Sequence, residues 1–553
     1  MLTIRIEEVA LSLDSQQHLP ETIHGQSRSS STSSQQALSK TVVTFSPNDK
    51  GHPANWSKAL RCFVLVTGAV QVMNSTVGSS ITGGAIDQIS QEFNITNQEI
   101  LVLPISVYLI GYILGPMLWG PASEAYGRKL PLRVAFVTFT IFMMACALAN
   151  SYPSLLVFRL IDGMAASAPI AVVGGVYADL YSDPTARGRL MAYYMAATTV
   201  GPILGPLISG FIATVGWRWC FWFGLIFAGV TLPLALLIPE TYAPIILQER
   251  AKALRKETRN TNIVSPRDLD ERGLKQTLAI NLSRPFHMLV REPIVLLSCL
   301  YIALAFSIFY LYFQAYPIIF EGIYDMSPGY NGLCFLPIGI GSLIACLIFI
   351  WYDNFLASAK ARHYKWAYIE EYRRLPLACI GGPLYVLSLL WIGWTASPKI
   401  HWAVPLLSGI PFGTGYLLIF MAMMNYLTDA YETYSASALS ASTCTRSTFG
   451  TLLPLATKPM FHRLGVHWAC TLIAFLSLGV ALIPFAFIKF GERIRENSKF
   501  CQELKMMKEG EEKESKVASP SGAGNSESSS TTVTAAVFRA ETKIKDLEKQ
   551  YHG

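Results

Sequence analysis

Two arginines and one aspartate stand isolated in long apolar stretches of this sequence. The run Arg159-Leu160-Ile161-Asp162-Gly163 puts a base and an acid three residues apart, so the two side chains can meet across one helical turn. Charges buried in hydrocarbon are costly and gather along ion or substrate paths. The pair could relay a proton, or Asp162 could simply neutralise Arg159; the sequence leaves both open. Arg446 is the third such charge. Phe306, Tyr310, Phe313 and Gln314 fall at i, i+4, i+7 and i+8 and share a helical face, and Tyr416 and Phe420 share another beside Met423 and Met424. An aromatic stripe can be packing, lipid contact or a cavity wall. Gln314 favours the cavity, because an amide facing lipid is costly.

Covalent chemistry has little to work with. The sequence has no GxxxxGK[ST] loop for ATP, no HExxH pair and no paired-carboxylate site. The ten cysteines include no CxxC and lie mostly in apolar runs, as buried free thiols do. No cofactor, no metal and no enzyme activity are expected.

The elements that position these residues follow from where charge is missing. Of the 81 charged side chains among 553 residues, only 32 fall within 60–239 and 293–490. A soluble enzyme would spread charge over every surface helix. Each stretch divides into six apolar runs: 60–84, 99–119, 130–149, 152–179, 190–213 and 217–238, then 293–316, 330–352, 375–395, 402–427, 435–456 and 466–490. About 20 residues cross a bilayer as a helix, and a bilayer leaves no water for unpaired backbone groups. The expected fold is an all-α polytopic membrane protein with twelve transmembrane helices in two six-helix halves. Residues 1–59 and 491–553 are expected to be largely disordered cytoplasmic tails, and 240–292 a cytoplasmic central loop.

That loop carries ten Lys or Arg residues, and the loops in phase with it carry Arg128, Lys129, Arg187, Arg189, Lys360, Arg362, Lys365, Arg373 and Arg374. Those out of phase have only Arg218, Lys399, Lys458 and Arg463. Positive-inside bias puts both termini in the cytoplasm. The net charge of +7 then reports orientation and not a nucleic-acid partner. With no cleaved signal expected, the first apolar run should direct insertion. The sequon Asn94-Ile-Thr96 falls in the first outer loop and is a candidate N-glycosylation site.

A family enters with Gly120-Pro-Ala-Ser-Glu124-Ala-Tyr-Gly127-Arg128-Lys129. This segment resembles the signature loop between helices 2 and 3 of the major facilitator superfamily, with Glu124 where Asp is more usual. Arg159 to Gly163 is similar to the RxxxG motif, whose arginine takes part in coupling in proton-driven members, although Asp162 stands where an amide is common. The run Gly201-Pro202-Ile-Leu-Gly205-Pro206-Leu-Ile-Ser-Gly210 resembles the antiporter motif, with Ala197 and Pro206 departing from it. Read without the family, the same run is a bent packing helix. Pro239-Glu240-Thr241-Tyr242-Ala243-Pro244, and Tyr426 to Tyr431 running on to Gly450, resemble segments of twelve-helix fungal drug:proton antiporters.

The resemblance implies a proton-coupled exporter working by alternating access, with substrate held near the midplane on helices 1, 4, 7 and 10. The cavity set is Phe306, Tyr310, Phe313, Gln314, Tyr416, Phe420 and Arg446. A scarcity of deep carboxylates argues for a neutral or weakly acidic aromatic cargo, a secondary metabolite or drug, over a polyamine. Asp429 and Glu432, on an inner loop without a base, are expected to latch Arg128 and Lys129 across the halves. The expected partners are a small molecule, protons and the lipid bilayer, in a monomer at the plasma membrane or, alternatively, the vacuole. A nutrient or polyamine:proton transporter on the same fold, and a transport-inactive sensor, are the rival readings.

Overall fold

A computed structural model describes residues 6–9, 40–46, 49–97, 99–181, 184–269, 274–369, 371–431 and 434–496, with 498, 500, 502 and 506 beyond them. It forms two compact units. The larger comprises Trp56–Tyr242 and Gly273–Gln502. Its first half contains α1 (Lys58–Ser80), α2 (Ile86–Phe93), α3 (Leu103–Tyr126), α4 (Lys129–Ala147), α5 (Tyr152–Leu180), α6 (Pro184–Ile212) and α7 (Trp217–Leu237). After α8 (Ala243–Thr258), which belongs to the smaller unit, α9 (Leu274–Arg291) leads into the second half. That half contains α10 (Pro293–Tyr316), α11 (Pro328–Leu333), α12 (Leu336–Ala361), α13 (Glu371–Thr395), α14 (Ala403–Leu407), α15 (Gly409–Tyr431), α16 (Ser435–Ala481) and α17 (Ile483–Glu496).

Among the described residues, eleven helical stretches are long and apolar enough to cross a membrane. The last of them, Ser437–Glu496, has 60 residues and would be about 90 Å long, three times the hydrocarbon thickness. It is broken inside α16 at Gly465, whose φ of 73° and ψ of 167° leave the helical region. Glycine tolerates that φ without strain, and the break divides a segment that is long enough for two crossings. The loop expected at 457–465 is instead helical as far as Leu464.

Close backbone approach holds the bundle together. A Cβ on Gly163 of α5 would meet the carbonyl oxygen of Tyr108 on α3, and one on Gly111 would meet the Met164 amide. Gly163→Val is therefore expected to force α3 and α5 apart and to destabilise the protein by about 1–3 kcal/mol. A lowered thermal transition of the detergent-solubilised protein would register this, whereas an unchanged one would contradict the packing.

On α6, Pro206 has no N–H for the Pro202 carbonyl one turn back. Ser80 of α1 donates to that carbonyl instead, at 2.7 Å. Gly201 and Gly205 lie against Thr76 and Ser80 of α1, and Gly210 against the Pro328 carbonyl of α11 in the other half. The glycine-proline run is thus a backbone contact strip facing both halves.

In the smaller unit, β1 (Ile6–Val9), β2 (Lys40–Val43) and β3 (Ile263–Val264) form a sheet in the order β1-β2-β3. The first pair is antiparallel and the second parallel, with Thr41 opposite Ile263. Val43 packs with Leu247 and Ala251 of α8. Arg250 of α8 pairs with Asp49 and lies 5.0 Å over Phe45. The hydrogen-bonded Arg250 guanidinium holds the Asp49 carboxyl below the usual carboxylate range. Residues 40–46 and 49–59, expected within a disordered tail, therefore carry a strand, an ion pair and the start of α1. Polarity of the segment concealed the apolar partner that α8 supplies. The other positions expected in that tail, apart from the β1 residues, lie outside the described residues, as does nearly all of 497–553.

Candidate functional site

Arg159 is fully buried on α5. Its Nη1 and Nη2 donate to the carbonyls of Gly78 at 2.9 Å and Ser79 at 3.4 Å, and its Nε donates to Pro104 at 3.0 Å. Gly78 and Ser79 lie in the last turn of α1, where helix carbonyls have no partner of their own and the helix dipole favours a cation. The guanidinium lies 4.2 Å over the Tyr108 ring. Asp162 Oδ2 accepts from Nη1 at 3.4 Å, and both side chains are 0% exposed. Asp162 Oδ1 has no hydrogen-bond partner.

This pair connects to a central cavity through α1. Ser79 Oγ donates to the Thr76 carbonyl at 2.6 Å, so Tyr310 of α10 donates to Ser79 Oγ, at 2.8 Å. That bond joins the two halves. The cavity is lined by Thr76, Tyr112, Ile170, Thr198, Pro202, Phe306, Tyr310, Tyr416, Phe420 and Arg446. Its volume of about 20 Å³ holds roughly one water, so in this conformation it is closed around too little space for a drug-sized molecule. Arg446 of α16 projects between the Phe306 ring, at 5.0 Å, and the Phe420 ring, at 5.3 Å. Arg446 is 6% exposed, its Nε has no hydrogen-bond partner, and among the described residues it has no carboxylate partner.

Five of the seven residues expected at the cavity line it. Phe313 and Gln314 do not: Phe313 packs on Phe309, Tyr310 and Phe335 instead. A shared helical face extends beyond the cavity, and its far turn is covered by other aromatics. Gln314 is 3% exposed with neither amide atom hydrogen-bonded, and Gln71 of α1 is in the same position. Sequence reading missed Thr76, Tyr112, Ile170 and Thr198, and gave Pro202 only as part of the antiporter motif. The run Asn74-Ser75-Thr76, followed by Ser79-Ser80, was the available signal, being unusually polar for a membrane helix.

The signature loop closes within its own half. Gly127 has φ 86°, and a Cβ there would strike the Glu240 carboxylate. Glu240 accepts from the backbone amides of Arg128 at 2.8 Å and Lys129 at 3.1 Å, capping the start of α4. Arg128 Nε pairs with Asp179 at 3.4 Å. In the second half Asp429 pairs with Arg374 at 3.2 Å and Arg373 at 3.7 Å. The expected latch between Arg128 and Asp429 is therefore not formed here, because each has a nearer partner in its own half. Glu432 lies outside the described residues. Nothing lies within 4 Å of a Cβ placed on Gly120, so close helix approach does not explain that glycine. Asn94 is exposed and ends α2 with φ 54°.

A family model described as Major Facilitator Superfamily matches residues 69–454, a range that takes in every residue lining the central cavity. The chain belongs to the major facilitator superfamily. It is a multi-pass membrane protein of a family that carries small molecules across membranes. It is 38% identical over 467 residues to the transporter paaT of Penicillium rubens, covering 83% of this chain and 84% of that one. The efflux pump MFS2 of Trichophyton rubrum is 36% identical, over 84% of this chain and 78% of that one. The multidrug transporter mdrA of Aspergillus fumigatus is 35% identical, over 83% and 76%. Among solved structures, the proton:xylose symporter XylE shares the fold with a TM-score of 0.58 at 18% identity, covering 79% of this chain and 96% of XylE.

Proposed function

We propose that this superfamily member is a proton-coupled exporter of small aromatic molecules, neutral or weakly acidic, with both termini in the cytoplasm of a plasma-membrane protein acting as a monomer. The observation that carries the proposal is the sealed Arg159–Asp162 pair, one hydrogen-bonded helix turn from a cavity walled by aromatics and a single unpaired arginine. Relatives named as efflux pumps and multidrug transporters support the direction of transport.

A proton from outside adds to the unbonded Oδ1 of Asp162 and removes the charge that Arg159 faces. Arg159 then leans on the α1 carbonyls and the Pro104 carbonyl of α3, and the end of α1 passes the change through Ser79 to Tyr310 and α10. Loss of the proton toward the cytoplasm restores the pair. The Glu240–Arg128–Asp179 and Arg374–Asp429 clusters keep each half rigid while the halves rock. Asn94, facing outward in this orientation, is the glycan acceptor.

The test is accumulation of a fluorescent planar aromatic such as Nile red in cells that lack or overexpress the protein, with and without a protonophore. Overexpression is expected to lower accumulation, and the protonophore to abolish the difference. Uptake that rises on overexpression would indicate a symporter, and no change in either strain would indicate a sensor.

A further inference from the structure

A second cavity lies away from the transport path. It has a volume of about 350 Å³, is lined by Trp351, Asn354, Phe355, Ser358, Ala359, Arg362, Tyr364 and Trp366, and sits where α12 ends. A short helical turn, Lys365–Tyr368, folds back so that Trp366 packs against Leu356, Ala359 and Ala367. Trp351 stacks on Phe355 at 5.7 Å and Phe355 on Trp366 at 5.8 Å, giving one continuous aromatic wall. Rings stacked on one another form a wall for acyl chain, unlike rings boxed around an ammonium group.

The polar edge is cationic. Arg362 is exposed and makes no ion pair among the described residues; no carboxylate lines the cavity, and Lys360 and Lys365 flank it in sequence. Asn354, a lining residue, accepts from Arg189 of α6 at 2.9 Å, which brings a cation from the other half to the rim. The site coincides with the end of the apolar span Pro328–Ala361, the depth at which lipid headgroups begin.

We propose that this groove binds an anionic phospholipid, with its phosphate at Arg362 and its acyl chain along Trp351, Phe355 and Trp366. Because Arg189 and Asn354 belong to opposite halves, the bound headgroup bridges them where α6 meets α12. The lipid therefore favours the conformation in which those two helices touch.

The test is native mass spectrometry of the full-length protein in detergent, titrated with phosphatidylserine or with phosphatidylcholine. Wild type is expected to retain phosphatidylserine about fivefold better, with Arg362→Ala bringing the ratio near one and Arg362→Lys preserving most of it. Trp351→Ala, at a site 63% exposed and so harmless to folding, should lower retention of phosphatidylserine. Equal retention of the two lipids by wild type, or an unchanged ratio in Arg362→Ala, would overturn the proposal. Displacement of the lipid by soluble glycerophosphoserine would also overturn it, since the site would then be one for free phosphate esters.

Discussion

Replacing Arg159 by alanine is expected to abolish transport and to cost about 3–5 kcal/mol of stability, the usual result of stranding one member of a buried ion pair. The loss is compounded here, because Arg159 also serves two carbonyls in the last turn of α1 and one on α3. Stability alone would not distinguish a relay from a static pair. The double variant Arg159→Leu with Asp162→Leu removes both charges, and apolar replacement of a buried pair is often neutral. It should therefore regain much of the lost stability while remaining transport-dead. If the double variant transports at the wild-type rate, the pair is structural only. Asp162→Asn separates the roles further, since an amide still accepts from Arg159 but cannot take up a proton.

The second large effect is expected at Arg446. Hydrogen bonds to a charged group contribute about 1.5–3 kcal/mol, so Arg446→Gln should weaken a weakly acidic aromatic cargo roughly ten- to hundredfold. A neutral cargo of the same shape should weaken much less, since the Phe306, Tyr310, Tyr416 and Phe420 walls remain. Competition against Nile red efflux by matched aromatic acids and amides reads this difference. Equal weakening of acid and amide would mean that Arg446 only holds Phe306 and Phe420 apart.

Much of this was legible in the sequence because hydrophobic length and helical spacing are local properties. Apolar runs of bilayer length announced the helices, and i, i+3 spacing announced the Arg159–Asp162 contact. Partnerships between distant residues were not legible. Ser79 and Tyr310 are 231 residues apart, and Glu240 caps a helix that begins 111 residues earlier. Periodicity also ran too far: Phe313 and Gln314 have the correct phase for the cavity but lie beyond its end. The latch from Arg128 to Asp429 rests on opposite charge and on the family resemblance that sets the two loops face to face in an outward-facing carrier; in this conformation nearer partners, Asp179 and Arg374, occupy both residues. The strand at Lys40–Val43 was hidden for a different reason, since two of its partners, Ile263–Val264 and α8, lie more than 200 residues away.

The most direct test is Nile red transport by the purified protein in sealed vesicles under an imposed pH gradient. Wild type is expected to concentrate the dye at the expense of the gradient and to stop when a protonophore is added. Asp162→Asn should exchange dye across the membrane without concentrating it, at a rate insensitive to the gradient. Gradient-driven accumulation by Asp162→Asn at the wild-type rate would contradict proton coupling at this site.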